Sequence, residues 1–128
     1  MDKLYIPGDL VKYLSQVVKI VEVYQDGTCY FENETMCGQQ DYKDAELIPL
    51  TPEILEKNGW YGATHSKQSD DSTKILYKTF KRKGYPTIKV SQDLKITCEL
   101  SPFIVKLESV SDLQHLLFGL GINHEMEV

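Results

Sequence analysis

The sequence predicts a β-rich α+β protein folded as a single domain over residues 1–128. Short β-branched runs separated by Gly, Pro and Asp-Gly turns supply the strands. Capped helical stretches follow residue 50 and recur near the C-terminus, and a later strand alternates between an apolar and a polar face. With 128 residues and 41% hydrophobic side chains, the chain can fill one core without metal or disulfide staples.

In "YIPGDLVKY", Pro7 and Gly8 form a turn that leads Leu10 and Val11 into a first strand. The run "VVKIVEVY" carries valines on both faces, Val17, Val21 and Val23 on one and Val18 with Ile20 on the other. Such a strand is covered on both sides or curled into a barrel. Asp26-Gly27 predicts a type I′ hairpin returning through "TCYF". The acidic stretch "ENETMCGQQDYKDA" has neither period and reads as a loop before "ELIPL" resumes extended structure. This succession resembles a small SH3-like barrel over residues 1–50.

Thr51 is placed as an N-cap, with Pro52 at the first helical position, Glu53 in the first turn and Gly59 past the end. A helix of two turns is stable only when docked, so Ile54 and Leu55 are expected to bury, making residues 46–60 a packed seam. The polar "GATHSKQSDDST" reads as a mobile loop. "KILYKTF", a turn at "KRKG", and "YPTIKVS" follow, with Pro86 marking the last as an edge strand. In "LKITCEL", Leu94, Ile96, Cys98 and Leu100 share one face, and after Ser101-Pro102 the residues Phe103, Val105 and Leu107 match it. The final helix has Ser111 and Gln114 in capping-box positions and Leu113, Leu116, Leu117 and Leu120 at helical spacing. Residues 51–128 are thereby expected to form a helix, an antiparallel sheet and a C-terminal helix laid on it.

Net charge is −5, yet residues 1–60 hold 5 Lys against 11 acidic residues, while residues 61–128 hold 9 Lys and Arg against 8. That balance argues against a dedicated duplex-binding protein, which needs a basic face. No stretch has the apolar length of a secretory signal or a membrane span, and Cys29, Cys37 and Cys98 lack the number and spacing of a disulfide framework. The expected location is the cytoplasm, with no membrane association.

Catalytic chemistry has little to build on. His65, His115 and His124 lie far apart, without the ligand spacing of a zinc site, and no phosphate-binding Gly-rich loop or nucleophile elbow is present. Cys98 falls on an apolar strand face, and Cys37 lies among acids that oppose a thiolate. His115 beside Asp112 reads as a solvated helix face. No metal, cofactor or enzymatic activity is expected, an enzyme built on Cys37 or His65 being the remote alternative.

One cluster is suggestive. "KILYKTFKRKGYPTIK" places Lys74, Lys78, Lys81, Arg82, Lys83 and Lys89 among Tyr77, Phe80 and Tyr85, with no acid between Ser72 and Gln92. Cations that follow phosphates and rings that stack on bases are the means of single-strand binding. Lys78, Lys81, Arg82, Lys83, Lys89, Tyr77 and Tyr85 are therefore the candidate nucleic-acid contacts. Lysines at strand edges also protect a sheet from edge pairing.

Three stretches carry a resemblance: "GDLVKY", "IPLTPEILEKNGW" and "SVSDLQHLLFGLG". Together they resemble a group of uncharacterised short proteins of gut Bacteroidales and their prophages or other mobile elements. Trp60 stands at that group's aromatic position, Leu113, Gln114, Leu116, Phe118 and Leu120 keep its helix pattern, and Gly121 keeps its stop. Ser111, Asp112 and His115 depart from it. The resemblance implies one domain, and brings neither an activity nor a site residue with it. The expected function is a non-catalytic protein-interaction module with a protein partner, the alternative being a nucleic-acid-binding accessory protein that uses the basic hairpin at residues 74–89.

Overall fold

The structure, a computed structural model, describes residues 5–41, 44–68, 73–91, 93–100 and 102–128, with residues 63–68 and 73–77 described by backbone alone. Two antiparallel sheets and two helices make it a β-rich α+β protein. The chain divides into two compact units, Met1–Pro49 with Ser109–Met126, and Leu50–Glu108 with Glu127–Val128.

The first unit contains β1 (Leu10–Tyr13), β2 (Gln16–Val23), β3 (Thr28–Glu32), β4 (Cys37–Asp41), β5 (Glu46–Leu47) and helix α2 (Val110–Gly119). Its sheet runs β4-β3-β2-β1-β5 and is open, not a closed barrel. A β-bulge resolves the two-faced valine pattern of β2, because the register with β3 shifts between Ile20 and Glu22. The extra residue inverts the side-chain phase, so Val18 and Ile20 before it and Val23 after it all serve the core formed with Tyr5, Val11, Cys29 and Phe31. Val17 and Val21 are left partly exposed.

The turns also differ from expectation. Of the Asp26-Gly27 pair only Gly27 has a positive φ, 87°, while Asp26 Oδ1 accepts from both the amide and the hydroxyl of Thr28. Tyr24 N donates to Thr28 O at 2.9 Å, so the loop is the three-residue type with glycine in its last place, not a type I′ turn. Both central residues of the β1–β2 hairpin, Leu14 and Ser15, do have positive φ, without the Gly or Asn that would have announced that turn. The acidic stretch expected to be a loop supplies β4, paired along its length with β3.

Helix α2 begins two residues earlier than the predicted box. Ser109 is the N-cap, accepting from Asp112 N while the Asp112 carboxylate accepts from Ser109 N, both at 3.1 Å. Ser111 and Gln114, expected as the capping pair, are instead buried in the helix with Val110, Leu113 and Leu117. Leu120, expected in the stripe, is exposed at the C-cap. Gly121 N and Ile122 N donate back to Phe118 O and Leu117 O, closing the end as a Schellman motif. The helix was expected to cover the second sheet, but its hydrogen bonds run to Gly8 and Leu10 of the first unit.

The second unit contains α1 (Pro52–Lys57), β6 (Tyr61–Gln68), β7 (Thr73–Lys81), β8 (Ile88–Ser91), β9 (Ile96–Leu100) and β10 (Phe103–Lys106), its sheet a meander in the order β10-β9-β8-β7-β6. Thr51 caps α1 by accepting from Ile54 N at 3.3 Å, and Gly59 past its end has φ 93°. Leu55, Trp60, Phe80, Ile88, Val90, Ile96, Cys98 and Leu107 are buried. Two expectations are corrected here. The polar stretch taken as a mobile loop forms strand β6 through Gln68, paired with β7. The strand containing Pro86 is not an edge: β8 starts two residues beyond the proline and pairs with β7 and β9 on its two sides. Leu94, expected on the apolar face of β9, lies ahead of the strand with φ 63° and is exposed. Among the described residues, no helix is long and apolar enough to cross a membrane.

Candidate functional site

The register of the second sheet divides the basic cluster. Phe80, Ile88 and Cys98 pair in one cross-strand row, and side chains alternate between faces from that row. Lys78, two residues from Phe80, therefore lies on the buried face, its Nζ 5.5 Å from the Phe80 ring centroid. Lys81 and Lys89 lie on the opposite face, where Lys89 Nζ stands 3.8 Å from the Glu99 carboxylate. Lys83 is exposed in the turn between β7 and β8. Tyr77 pairs in register with His65 and Ser91; its side chain, with those of His65 and Lys74, lies outside the described residues.

Arg82 and Tyr85, expected to project beside the lysines, are engaged with the chain itself. The Arg82 guanidinium lies 3.8 Å from the Tyr85 ring centroid and 5.1 Å from that of the buried Trp60. The Trp60 and Tyr85 rings meet edge to face at 5.3 Å, and Trp60 Nε1 donates to Pro86 O at 3.3 Å. Glycine at residue 59 leaves room beside the stack, since a Cβ there would sit 3.3 Å from Arg82 Nε and push against the guanidinium. One face of the Tyr85 ring holds a guanidinium and is closed to a base.

An aromatic residue missing from the expected set stands on the lysine face. Tyr61, 80% exposed, pairs in register with Lys81. Nothing in the sequence marks it, because it opens a strand whose remaining sequence is polar. The predicted contacts thus separate into Lys81 and Lys89 on an outer face that they share with Tyr61, an inner Lys78, a turn with Lys83, and the stack of Arg82 on Tyr85.

The other end of the same sheet carries an edge of different character. Strand β10 pairs with β9 through Phe103–Leu100, Ile104–Glu99, Val105–Cys98 and Lys106–Thr97, and Leu107 N donates to Ile96 O at 2.9 Å. Residues of an antiparallel ladder alternate between bonded and non-bonded pairs. The odd-numbered residues are therefore bonded to β9, and the amides and carbonyls of Ile104 and Lys106 turn outward along an edge that pairs with no strand among the described residues, as far as Glu108 O, which accepts from Leu50 N at 3.1 Å. Phe103 and Ile104 are 71% and 65% exposed, although the alternation of the sequence places Phe103 in the core.

In the first unit, Asp9 and His115 meet across 106 positions of sequence, His115 Nε2 lying 2.6 Å from Asp9 Oδ2. The Asp9 side chain is fully buried and its Oδ2 also accepts from Ile6 N at 3.0 Å, while Oδ1 has no hydrogen-bond partner among the described residues. Burial and then the Asp9 carboxylate push the Tyr5 phenol above its ordinary range. Beside the pair, Gln114 Oε1 accepts from Leu10 N at 2.9 Å, and its Nε2 donates to Gly8 O at 2.7 Å and His124 O at 3.0 Å. His115 is thus held by Asp9, and not solvated beside Asp112 as expected. A carboxylate that orients an imidazole is part of a hydrolytic triad, but no hydroxyl or thiol among the described residues bonds His115. Of the thiols, Cys29 and Cys98 are buried and Cys37 is exposed on β4.

No protein-family model, curated protein or solved structure matches this chain.

Proposed function

We propose that this protein is a non-catalytic interaction module whose second unit receives an extended segment of a protein partner by strand addition to β10. The free edge carries the proposal. The main-chain groups of Ile104 and Lys106 face outward there, beside two large apolar side chains that are mostly exposed. Sheet edges are ordinarily blunted by charge, proline or a bulge. The polar β4 and the two-residue β5 follow that pattern in the first sheet, whereas β10 has Pro102 before it, Lys106 at its end and Leu50 N bonded to Glu108 O just beyond. Main-chain bonds to an added strand supply affinity, and Phe103 and Ile104 supply side-chain selectivity.

For the first unit we keep the SH3-like reading, supported by the strand order in which the short β5 returns beside β1, and by the bulge that bends β2. An accessory role in the cytoplasm is part of the same proposal.

The test is a displayed library of random ten-residue peptides selected on the intact protein and counter-selected on Ile104→Pro. Proline removes an outward-facing donor that β9 does not use, so the fold tolerates it while the edge is closed. Peptides enriched on the natural sequence and lost on Ile104→Pro support strand addition. Enrichment indifferent to that change removes β10 from the proposal.

One observation favours nucleic acid as a second reading: the exposed Tyr61 beside Lys81 on the outer face of the same sheet. Fluorescence anisotropy with a random-sequence single strand at low salt separates the two. Saturable binding that weakens in Lys81→Ala and Tyr61→Ala would establish the second reading, and its absence at low salt, where phosphate attraction is greatest, would eliminate it.

A further inference from the structure

We infer that the second unit holds a small-molecule site, a cavity between the start of β9 and the end of β10 that takes an aliphatic carboxylate about as long as octanoate. The inference does not depend on strand addition to β10, and either can fail without the other.

The cavity has a volume of about 310 Å³, at the small end of the range for ligand sites. Leu50, Ile96 and Leu107 line its base, each nearly closed to solvent, and Leu94 stands at its rim. The turn that carries Leu94 is closed by Leu94 N donating to Ser91 O and by Ser91 N donating to Lys95 O, both at 3.0 Å. The loop between β2 and β3 has the same pattern, Gly27 N donating to Tyr24 O and Tyr24 N to Thr28 O. There glycine takes the left-handed position, with φ 87°; here leucine takes it, with φ 63°. The Cβ of a leucine makes that conformation costly, and the side chain is 71% exposed, so the core gains little from it. Strain of this kind is kept at ligand clamps. An aliphatic chain in the cavity gives Leu94 the apolar neighbour that it lacks.

Charge at the mouth names the other end of the ligand. Lys95 Nζ lies 3.5 Å from the Asp93 carboxylate. Lys106, exposed in the cavity wall, has no ion-pair or hydrogen-bond partner for its ammonium among the described residues. An ammonium beside an aliphatic cavity matches an anionic head on an apolar chain. The Glu108 carboxylate, also in the wall, repels such a head and sets it on the Lys106 side. Loss of charge at these two positions must therefore act in opposite directions.

Octanoate titrated into the isotope-labelled intact protein, followed by amide shifts in NMR spectra, tests the site. Saturable shifts confined to Leu50 and residues 94–97 and 106–108 are expected. From butanoate to octanoate, each methylene should tighten binding about fourfold. Lys106→Gln should weaken it about tenfold, by loss of a charge-assisted contact, and Glu108→Gln should tighten it. Leu94→Gly should weaken binding while the thermal midpoint of the free protein stays or rises, because glycine relieves the φ strain; a leucine that serves only the fold would lower that midpoint when removed. No localised shift up to about 10 mM octanoate, well past a millimolar dissociation constant, overturns the inference. So does affinity indifferent to chain length, which would leave only a surface charge, or octanol binding as tightly as octanoate, which would leave a cavity without an anion site. Weaker binding in Glu108→Gln, or no change in Lys106→Gln, overturns it as well.

Discussion

Replacing Gln114 by Leu keeps the approximate volume of the side chain and removes all of its hydrogen bonds. Three main-chain groups then lose their partner: Leu10 N at 2.9 Å, Gly8 O at 2.7 Å and His124 O at 3.0 Å. Each group stranded in a buried place costs about 1–3 kcal/mol. These groups are only partly buried, so water can reach some of them, and the lower end applies. The expected total is about 3 kcal/mol, a large share of the roughly 5–15 kcal/mol that holds a domain together. The helix has little to gain in return, since Leu and Gln differ by only a few tenths of a kcal/mol in propensity. Urea unfolding followed by far-UV circular dichroism measures the change, at unchanged slope if the denatured state is the same. A loss below about 1 kcal/mol would refute the reasoning, because it would mean the three groups find solvent without cost.

A fragment ending at Leu50 should fail to melt cooperatively, since α2 supplies the buried Leu113, Leu117 and Gln114 to the first unit; a sharp calorimetric transition would show the first sheet to be self-sufficient. Arg82→Ala should cost about 1 kcal/mol and alter the emission of Trp60 by removing the stacked guanidinium, whereas Lys83→Ala, at an exposed turn, should stay within about 0.5 kcal/mol. Chemical denaturation with fluorescence detection reads both. Of the three cysteines only Cys37 should react with a thiol reagent in the native protein, the other two only after unfolding. Burial, aided by Asp41 at Cys29 and by Glu99 at Cys98, raises both buried thiols above their ordinary range. The fold then holds those protons more tightly than the unfolded chain does, so their contribution is fully present below the ordinary thiol range and is lost as pH rises from there through the raised range of the folded state. A thermal midpoint that does not fall on the alkaline side would contradict that sign.

What the sequence disclosed follows the range of the interactions involved. Thr51, Pro52 and Gly59 announce α1 because a cap and a stop act within a few residues. Asp26-Gly27 announced a hairpin for the same reason, though not its type, which depends on the local bonds from Thr28 to Asp26. Strands β4 and β6 were read as loops because both are edge strands, and an edge strand can do without an apolar face and hence without a period. The valines of β2 misled by suggesting burial on both sides, when a bulge carries one buried face across a change of phase. Misplacing the capping box by two residues came from giving Ser111 and Gln114 a local task. Their partners, Leu10 for both and Gly8 for Gln114, lie more than 100 positions away. The Asp9–His115 pair is invisible for the same reason, and no spacing rule reaches it. The basic cluster was legible as composition, but which lysines share a face is a matter of register, and the Arg82 stack is a matter of packing.

Amide hydrogen exchange along β10, followed residue by residue by NMR over a dilution series, tests the outward-facing edge most directly. The amides of Val105 and Leu107 should exchange slowly at every concentration, because they are bonded to β9. Those of Ile104 and Lys106 should exchange fast, because no strand is bonded to them. Slow exchange of Ile104 and Lys106 at the greatest dilution would mean that the chain itself already covers the edge, contradicting its role as a docking surface.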